Sequence, residues 1–253
     1  MNKIYHWKTL TVTSISIIIL LGGFTYFRKR EISYNTTAYE KELITYFKEI
    51  ALQSEYDGNP ERVIKWRAPM LLFVVKLKEL KPQMAAIEKT IDKINRLATD
   101  GFRIVLTNNL LKSNAVLYLC KKEQVAELDR KFHEMLSDGI DYDISGLAYS
   151  EFVTQTHIID KSLIFINSDE HLDIQESTIL EEITQSLGLA YDSKMYSNSI
   201  FYKDKPNQDV RVNEYPELDR DIIRLLYHPK MEPGFDSIEL ERVIKEILKY
   251  ETK

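Results

Sequence analysis

The residues whose types and spacing best suit a functional site lie in one stretch, residues 180–192, L-E-E-I-T-Q-S-L-G-L-A-Y-D. Glu181 and Gln185 are four residues apart, so on a helix they share one face and can bind the same ligand. Glu182 follows directly and points about 100° away from Glu181 on a helix. This spacing therefore predicts a helix that presents two ligand positions and one carboxylate that can act as a general base.

Gly188 predicts how this helix ends, because glycine permits a left-handed turn that bulky residues resist. The chain then doubles back, so Asp192 is expected to approach Glu181 or Glu182. Two carboxylates about 5–9 Å apart can hydrolyse glycosidic bonds, which makes a hydrolase one hypothesis. The structural alternative is a buried polar network of Glu182, Gln185 and Asp192 that fixes the helix and the turn.

The stretch resembles the zinc-peptidase motif H-E-x-x-H-x-x-G-x-x-H, with no histidine at a ligand position. Glu181, Gln185 and Tyr191 occupy those positions, and Glu182 alone keeps the identity of the general base. Zinc favours imidazole, thiolate and carboxylate ligands, whereas an amide and a phenol are poor ones. We therefore expect no metal and no cofactor, and a classical zinc protease is not expected.

The similarity to metzincins of the matrix-metalloprotease type continues beyond the helix. S-K-M-Y-S-N-S-I-F-Y corresponds to the segment with the Met-turn, and Phe201 stands where its methionine would be. L-D-R-D-I-I-R-L-L-Y resembles the C-terminal helix of the same peptidases. Four aromatic residues are candidates for lining the inherited cleft, although they can equally fill a core: Tyr191, Tyr196, Phe201 and Tyr202.

A closer resemblance is to the bacterial family catalogued as domain of unknown function 2927, over roughly residues 60–235. Five segments carry this resemblance: K-W-R-A-P-M, S-N-A-V, E-E-I-T-Q-S-L-G-L, S-I-F and L-L-Y-H-P-K-M-E-P-G. Tyr191 departs from the family pattern L-G-L-x-N-D-S. In this family Glu-Glu-x-x-Gln is usual, and many members resemble exported proteins or lipoproteins. The resemblance therefore implies a periplasmic or other extracytoplasmic domain in the cell envelope.

Hydrophobic periodicity predicts the elements that position these residues. Helices are expected at 39–53, 83–97, 122–136, 174–187, 218–227 and 238–250. An extended apolar segment is expected at 63–76, and strands at 102–107, 115–121 and 156–167. This alternation predicts one mixed α/β (α+β) domain over 35–253, a zincin-like mixed sheet with long helices behind it. The helix at 174–187 is expected to lie under a cleft.

The N-terminal segment has a different character. Residues 10–27 contain no charge and are bounded by Lys8 and by Arg28-Lys29-Arg30, which predicts a single-pass membrane helix. Residues 1–34 are therefore expected to be an anchor and linker. The whole chain carries 34 Lys and Arg against 39 Asp and Glu, so a nucleic-acid partner is not expected. The single cysteine, Cys120, lies in an apolar run and is expected to be buried.

These observations favour a membrane-anchored, metal-free and non-catalytic domain that binds a peptide or protein in the inherited cleft. A zincin cleft holds its substrate as an extended strand along a sheet edge, a binding mode that does not need the metal. The first alternative is a hydrolase that uses Glu182 with Glu181 or Asp192. The second alternative is a structural envelope protein.

Overall fold

The computed structural model describes residues 34–53, 61–137, 144–203 and 212–251. Residues 36–253 form one compact unit. Within the described ranges, no helix is long and apolar enough to cross a membrane. The apolar run 10–27, which the sequence predicts to be an anchor, lies outside those ranges.

Seven α-helices stand in the described part of the chain. They are α1 Ala38–Leu52, α2 Lys81–Leu97, α3 Lys122–Leu128, α4 Arg130–Ser137, α5 Leu172–Gln185, α6 Glu217–Leu226 and α7 Ser237–Glu251. Five of the six helices expected from the sequence are confirmed within two residues at each end.

The expected helix at 122–136 is corrected to two helices, α3 and α4. The Asp129 N–H still donates to Val125, but the Asp129 carboxylate accepts the N–H of Phe132. A side chain that accepts a backbone N–H three residues ahead begins a new helix. Asp129 therefore ends α3 and starts α4.

The core of the fold is a six-stranded sheet. Its strands are β1 Lys65–Trp66, β2 Met70–Lys76, β3 Ile104–Thr107, β4 Ala115–Cys120, β5 Gly146–Val153 and β6 Ile158–Asn167. The first five neighbours lie in the order β1-β6-β4-β2-β3, and all of these pairs are parallel. β5 pairs with β6 in the antiparallel direction. The expected mixed α/β class is therefore confirmed, with a mostly parallel sheet.

Two strand predictions need correction. The extended segment 63–76 divides into β1 and β2 before Pro69, because proline has no N–H for a ladder hydrogen bond. β5 is absent from the expected elements altogether. Its first five residues, Gly-Leu-Ala-Tyr-Ser, include three small side chains with little strand preference, so no hydrophobic alternation marks it.

Helices cover both faces of the sheet. Face A, which carries Leu72, Ile104 and Ile164, is covered by α2 and α5, and these two helices are joined by a 3.0 Å hydrogen bond from Gln83 to Gln175. Face B carries Tyr118, Leu163 and Phe165, which pack with Phe132 and Leu136 of α4. Cys120 belongs to this buried cluster, as expected, and burial raises the pKa of its thiol to about 11.

Candidate functional site

The C-terminus of α5 turns sharply at Gly188, which has a φ of +107°. A Cβ atom at this position would lie 2.1 Å from the carbonyl oxygen of Ile64, so only glycine fits. The N–H groups of Gly188 and Leu189 both donate to the Gln185 carbonyl, at 3.0 and 3.2 Å. The residue type and the close approach of Ile64 together fix this turn.

Two buried aromatic side chains bind the carbonyl groups that the end of α5 exposes. Trp66 Nε1 donates to the Ser186 carbonyl at 2.9 Å, and the Tyr227 hydroxyl donates to the Leu187 carbonyl at 2.9 Å. Both side chains are completely buried. Because the last carbonyls of a helix lack partners within the helix, these two bonds satisfy groups that would otherwise be costly to bury.

The buried Lys65 side chain contacts the same region. Its Nζ lies 2.7 Å from Asp100 Oδ2, 2.7 Å from the Leu226 carbonyl and 3.2 Å from the Met231 carbonyl. The ammonium group is also 4.8 Å from the centre of the Tyr227 ring. Burial lowers the pKa of Lys65 to about 8, against the opposing effect of Asp100. This fully bonded cation holds β1, α6 and the segment after α6 together.

The motif residues differ in their hydrogen bonds and in their burial. Gln185 Nε2 donates to Asp192 Oδ1 at 2.7 Å, so the turn at Gly188 does bring Asp192 back to α5. Glu182 is almost fully buried, whereas Glu181 is only half-buried. The structure thus places the Asp192 carboxylate against the Gln185 amide.

The aromatic candidates for the cleft also differ in their burial. Phe201 is completely buried and fills the core, so it does not present its ring to an open cleft. Tyr191 and Tyr202 are half-buried. Tyr196 packs edge-on against Tyr46, with 4.7 Å between the ring centres, and burial raises the pKa of its hydroxyl to about 12.

The loop that carries these aromatics is closed on itself and anchored to α6. The Ser193 N–H donates to the Phe201 carbonyl at 2.7 Å. Ser199 donates to the buried Asp219 at 2.9 Å, and the Ile200 N–H donates to the same carboxylate at 2.9 Å. Asp219 thus fixes the loop by binding groups from two successive residues of it.

β5 passes directly over the motif helix. A Cβ atom on Gly146 would lie 2.3 Å from Thr178 Cγ2, 2.8 Å from Glu182 Cγ and 2.9 Å from Glu182 Oε1. Ser150 continues the contact with a 3.4 Å hydrogen bond to the Ser186 carbonyl. Side chains two apart on a strand share a face, so Gly146, Ala148 and Ser150 all face α5. These small residues let the helix approach closely.

The same three residues direct their backbone groups to the outer edge of β5. The Asn167 N–H donates to Ser145 at 2.8 Å, and Gly146 lies opposite Ile166. Bonded and non-bonded pairs alternate along antiparallel strands, so the N–H and C=O groups of Gly146, Ala148 and Ser150 point away from β6. No hydrogen bond from the described ranges reaches these groups.

The opposite edge of the sheet is closed at Ile104. Asn95 of α2 places its amide against β3, where Nδ2 donates to the Ile104 carbonyl at 2.9 Å and Oδ1 accepts the Ile104 N–H at 2.8 Å. Both outward backbone groups of Ile104 are therefore bonded by one side chain. Neither Asn95 nor β5 stands out in the sequence, because each is recognised only once strand order is known.

No group of three or more His, Cys, Asp or Glu side chains is arranged to hold a metal ion within the ranges that the structure covers. Glu181, Gln185 and Tyr191, at the three ligand positions, offer one carboxylate, one amide and one phenol. Such a donor set does not fit a stable zinc site.

Segments that resemble one family meet around this helix: K-W-R-A-P-M supplies Lys65 and Trp66, and L-L-Y-H-P-K-M-E-P-G supplies Tyr227. No curated protein matches this chain. A family model described as Protein of unknown function (DUF2927) matches residues 40–246. Because this match spans α1 to α7 and all six strands, the chain belongs to the DUF2927 family.

Proposed function

We propose that this domain binds an extended peptide segment of a partner protein along the outer edge of β5, without catalysis. The observation that carries the proposal is the row of outward N–H and C=O groups on Gly146, Ala148 and Ser150. An extended chain that adds to a sheet edge gains main-chain hydrogen bonds from such a row.

The length of β5 supports this mode of binding. Its eight residues, Gly146–Val153, give a strand of about 25 Å at the usual rise per residue, in regular register with β6 up to a shift between Glu151 and Phe152. The first seven are half-buried, so the strand lies in a partly enclosed position. A long edge can pair with an added strand through more main-chain hydrogen bonds than a short one.

The helix below the edge offers a basis for specificity. Alternate side chains of an added strand point to face A, the side on which α5 lies. There the small side chains of Gly146 and Ala148 leave Glu182 close to the strand, and the Gln185–Asp192 pair follows at the C-terminus of α5. We expect polar or basic side chains of the partner to be preferred at these positions.

A hydrolase is the second candidate, favoured by the burial of Glu182 beneath the same strand. A hydrolase also needs a second reacting group. Asp192 is a candidate, because the hydrogen bond from Gln185 holds its carboxylate in place. Glu182→Gln separates the two candidates, because a hydrolase loses its turnover with this variant, while a peptide-binding domain still binds peptides with a weaker preference for basic side chains. Release of product from a bound peptide by the unaltered chain would favour the hydrolase.

Anchoring of the domain to a membrane remains part of the proposal. It rests on the uncharged run 10–27 and its basic flanks. A domain held at an envelope membrane in this way would meet partner segments within the same compartment. The structural-protein alternative requires no occupied edge, so it predicts no peptide selectivity at β5.

The test is selection of peptides from a displayed library of about eight to ten residues, the length of a long strand, with the full chain as bait. Ala148→Pro removes one outward N–H and leaves every ladder bond to β6, so we expect it to lose binding of the selected peptides. Leu106→Pro makes the matched change at an outward position of β3 and should keep binding. Equal binding by all three proteins would contradict the proposal.

A further inference from the structure

A second surface lies at the other end of the sheet, around β3 and the short 3₁₀ helix Leu110–Lys112 that follows it. Three apolar side chains are exposed here: Val105 by 46%, Leu110 by 52% and Leu111 by 96%. Isolated exposed leucines are common, but here two stand in succession in one turn and an exposed valine lies on the strand before it.

The path of the chain places these residues on one face. β3 and β4 flank β2 on opposite sides, so residues 108–114 must cross over β2. The connection from β2 to β3 runs through α2 on face A, and right-handed crossovers then put the return connection on face B. Val105 pairs with Leu71 on that same face B, because Ile104 next to it faces A.

The segment that carries these apolar side chains has basic residues and no acidic ones. Between Gly101 and Lys122 the sequence has no Asp or Glu, although the whole chain has a net charge of -5. Arg103 and Lys112 are both exposed, and neither forms an ion pair with a carboxylate among the described residues. Arg103 donates only to the carbonyls of Ala98 and Phe102.

We propose that this surface, formed by Arg103, Val105, Leu110, Leu111 and Lys112 and called here the lipid patch, rests on an anionic lipid bilayer. Apolar side chains that enter the headgroup region beside basic ones are the usual combination for interfacial binding. Anionic headgroups attract Lys and Arg close to the membrane surface. The proposal is independent of peptide binding at β5, which lies at the opposite edge of the sheet.

The local geometry favours a bilayer over a second copy of the chain. Leu111 stands at the tip of a projecting turn, which enters a soft surface easily and offers little area to a flat protein face. Pairing of two β3 edges is hindered, because Asn95 already bonds the outward groups of Ile104. Two copies would also bring Arg103 and Lys112 of each near those of the other, which like charges disfavour.

The experiment uses the full chain with Leu111→Cys carrying an environment-sensitive fluorophore. The native Cys120 is buried and labels slowly, and the unsubstituted chain shows how much label it takes. Ile238→Cys is the matched control, because Ile238 is also apolar and 80% exposed but has Asp236 and Glu239 beside it. Vesicles of phosphatidylcholine, with and without phosphatidylglycerol, are the probes.

We expect a blue shift and quenching by lipid-borne quenchers at position 111 with phosphatidylglycerol vesicles, and neither change at 238. Lys112→Gln with Arg103→Gln should weaken the shift, as should high salt. Contact by residues 10–27 alone would not distinguish 111 from 238, so equal responses at the two positions overturn the proposal. A blue shift at 111 without vesicles that grows with protein concentration would identify a second copy as the occupant and also overturn it.

Discussion

The two edges of the sheet are treated in opposite ways. At β3, one asparagine side chain from α2 bonds both outward backbone groups of Ile104 at 2.8 and 2.9 Å. At β5, the outward groups of Gly146, Ala148 and Ser150 receive no hydrogen bond from the described residues. β3 has four residues and β5 has eight, so the longer edge has more outward groups and lacks a cap like that of Asn95 on Ile104.

Under the proposed function, this difference separates the scaffold from the binding surface. Exposed strand edges pair readily with other chains, and proteins normally shorten, charge or cover them. Trp66, Tyr227 and Lys65 bind the backbone around the motif helix thoroughly, so unfinished packing does not explain an open β5. We infer that the motif residues support the sheet and that the partner binds at its edge.

Gly146→Ala is expected to have the largest effect on the β5 edge. The added Cβ would lie 2.3 Å from Thr178 Cγ2, so β5 must move away from α5. Overpacking of this kind costs about 1–3 kcal/mol, and we expect the upper end in the free energy of unfolding by urea. Selected peptides should also bind more weakly, because the edge itself is displaced.

Gly101→Ala is the control for this variant. Gly101 has a φ of +95° but no neighbouring atom within 4 Å of the added Cβ, so only backbone strain of about 1 kcal/mol is expected. Equal losses of stability in the two variants would show that the contact between β5 and α5 is looser than described.

Asn95→Ala should make the closed edge resemble the open one. The variant leaves both outward groups of Ile104 without their partners, which costs about 1–3 kcal/mol where these groups are not reached by water. Amide hydrogen exchange at Ile104 should accelerate, while exchange at Tyr149 stays slow. Arg96→Ala, an exposed change on the same helix, should alter stability by less than about 0.5 kcal/mol.

The smallest effect concerns pH. Lys65 has a folded pKa of about 8, below its value in the unfolded chain, so the unfolded state holds the proton longer as pH rises. The free energy of unfolding should therefore increase by about 1 kcal/mol per pH unit between roughly pH 8 and 9. Between about pH 9 and 10 this gain is offset, because burial raises the pKa of the Cys120 thiol to about 11 and the unfolded chain loses that proton first. Above this window the gain reverses, because tyrosines such as Tyr215, whose pKa is raised by burial, ionise first in the unfolded chain.

Nitrogen NMR of the lysine side chains measures the pKa of Lys65 in the folded protein directly. The Nζ of Lys65 should titrate near pH 8, whereas Lys121, whose pKa is raised by its hydrogen bond to Asp169, should titrate above the usual lysine range. Peptide affinity at β5 should not follow the Lys65 titration, because Lys65 lies in β1 and not at the edge. A parallel change in affinity would contradict the separation of scaffold and edge.

The sequence predicts well those features that depend on local pattern. Hydrophobic periodicity gives the helices, because each buries one stripe of side chains, and Gly188 predicts the turn because its backbone conformation excludes other residues. The return of Asp192 towards α5 also follows from that turn. The sequence leaves its partner open among Glu181, Glu182 and Gln185, since the bond to Gln185 depends on side-chain geometry across the turn.

The features that carry the proposed function are not local. β5 has small residues on the side facing α5, so its pattern is lost in sequence although it fits the helix closely in space. Asn95 closes an edge only because the strand order places β3 outermost. Lys65 and Trp66 look like an ordinary charged and aromatic pair, and their partners lie far along the chain at Asp100 and Ser186.

The most direct test of the central claim is amide hydrogen exchange by NMR, with and without a peptide selected on the full chain. The account predicts that Gly146, Ala148 and Ser150 gain protection, because their N–H groups bond the added strand. Leu147 and Tyr149, already bonded to β6, and Ile104 at the closed edge should show no change. Binding that leaves all three outward amides unprotected would contradict the account and place the partner elsewhere on the domain.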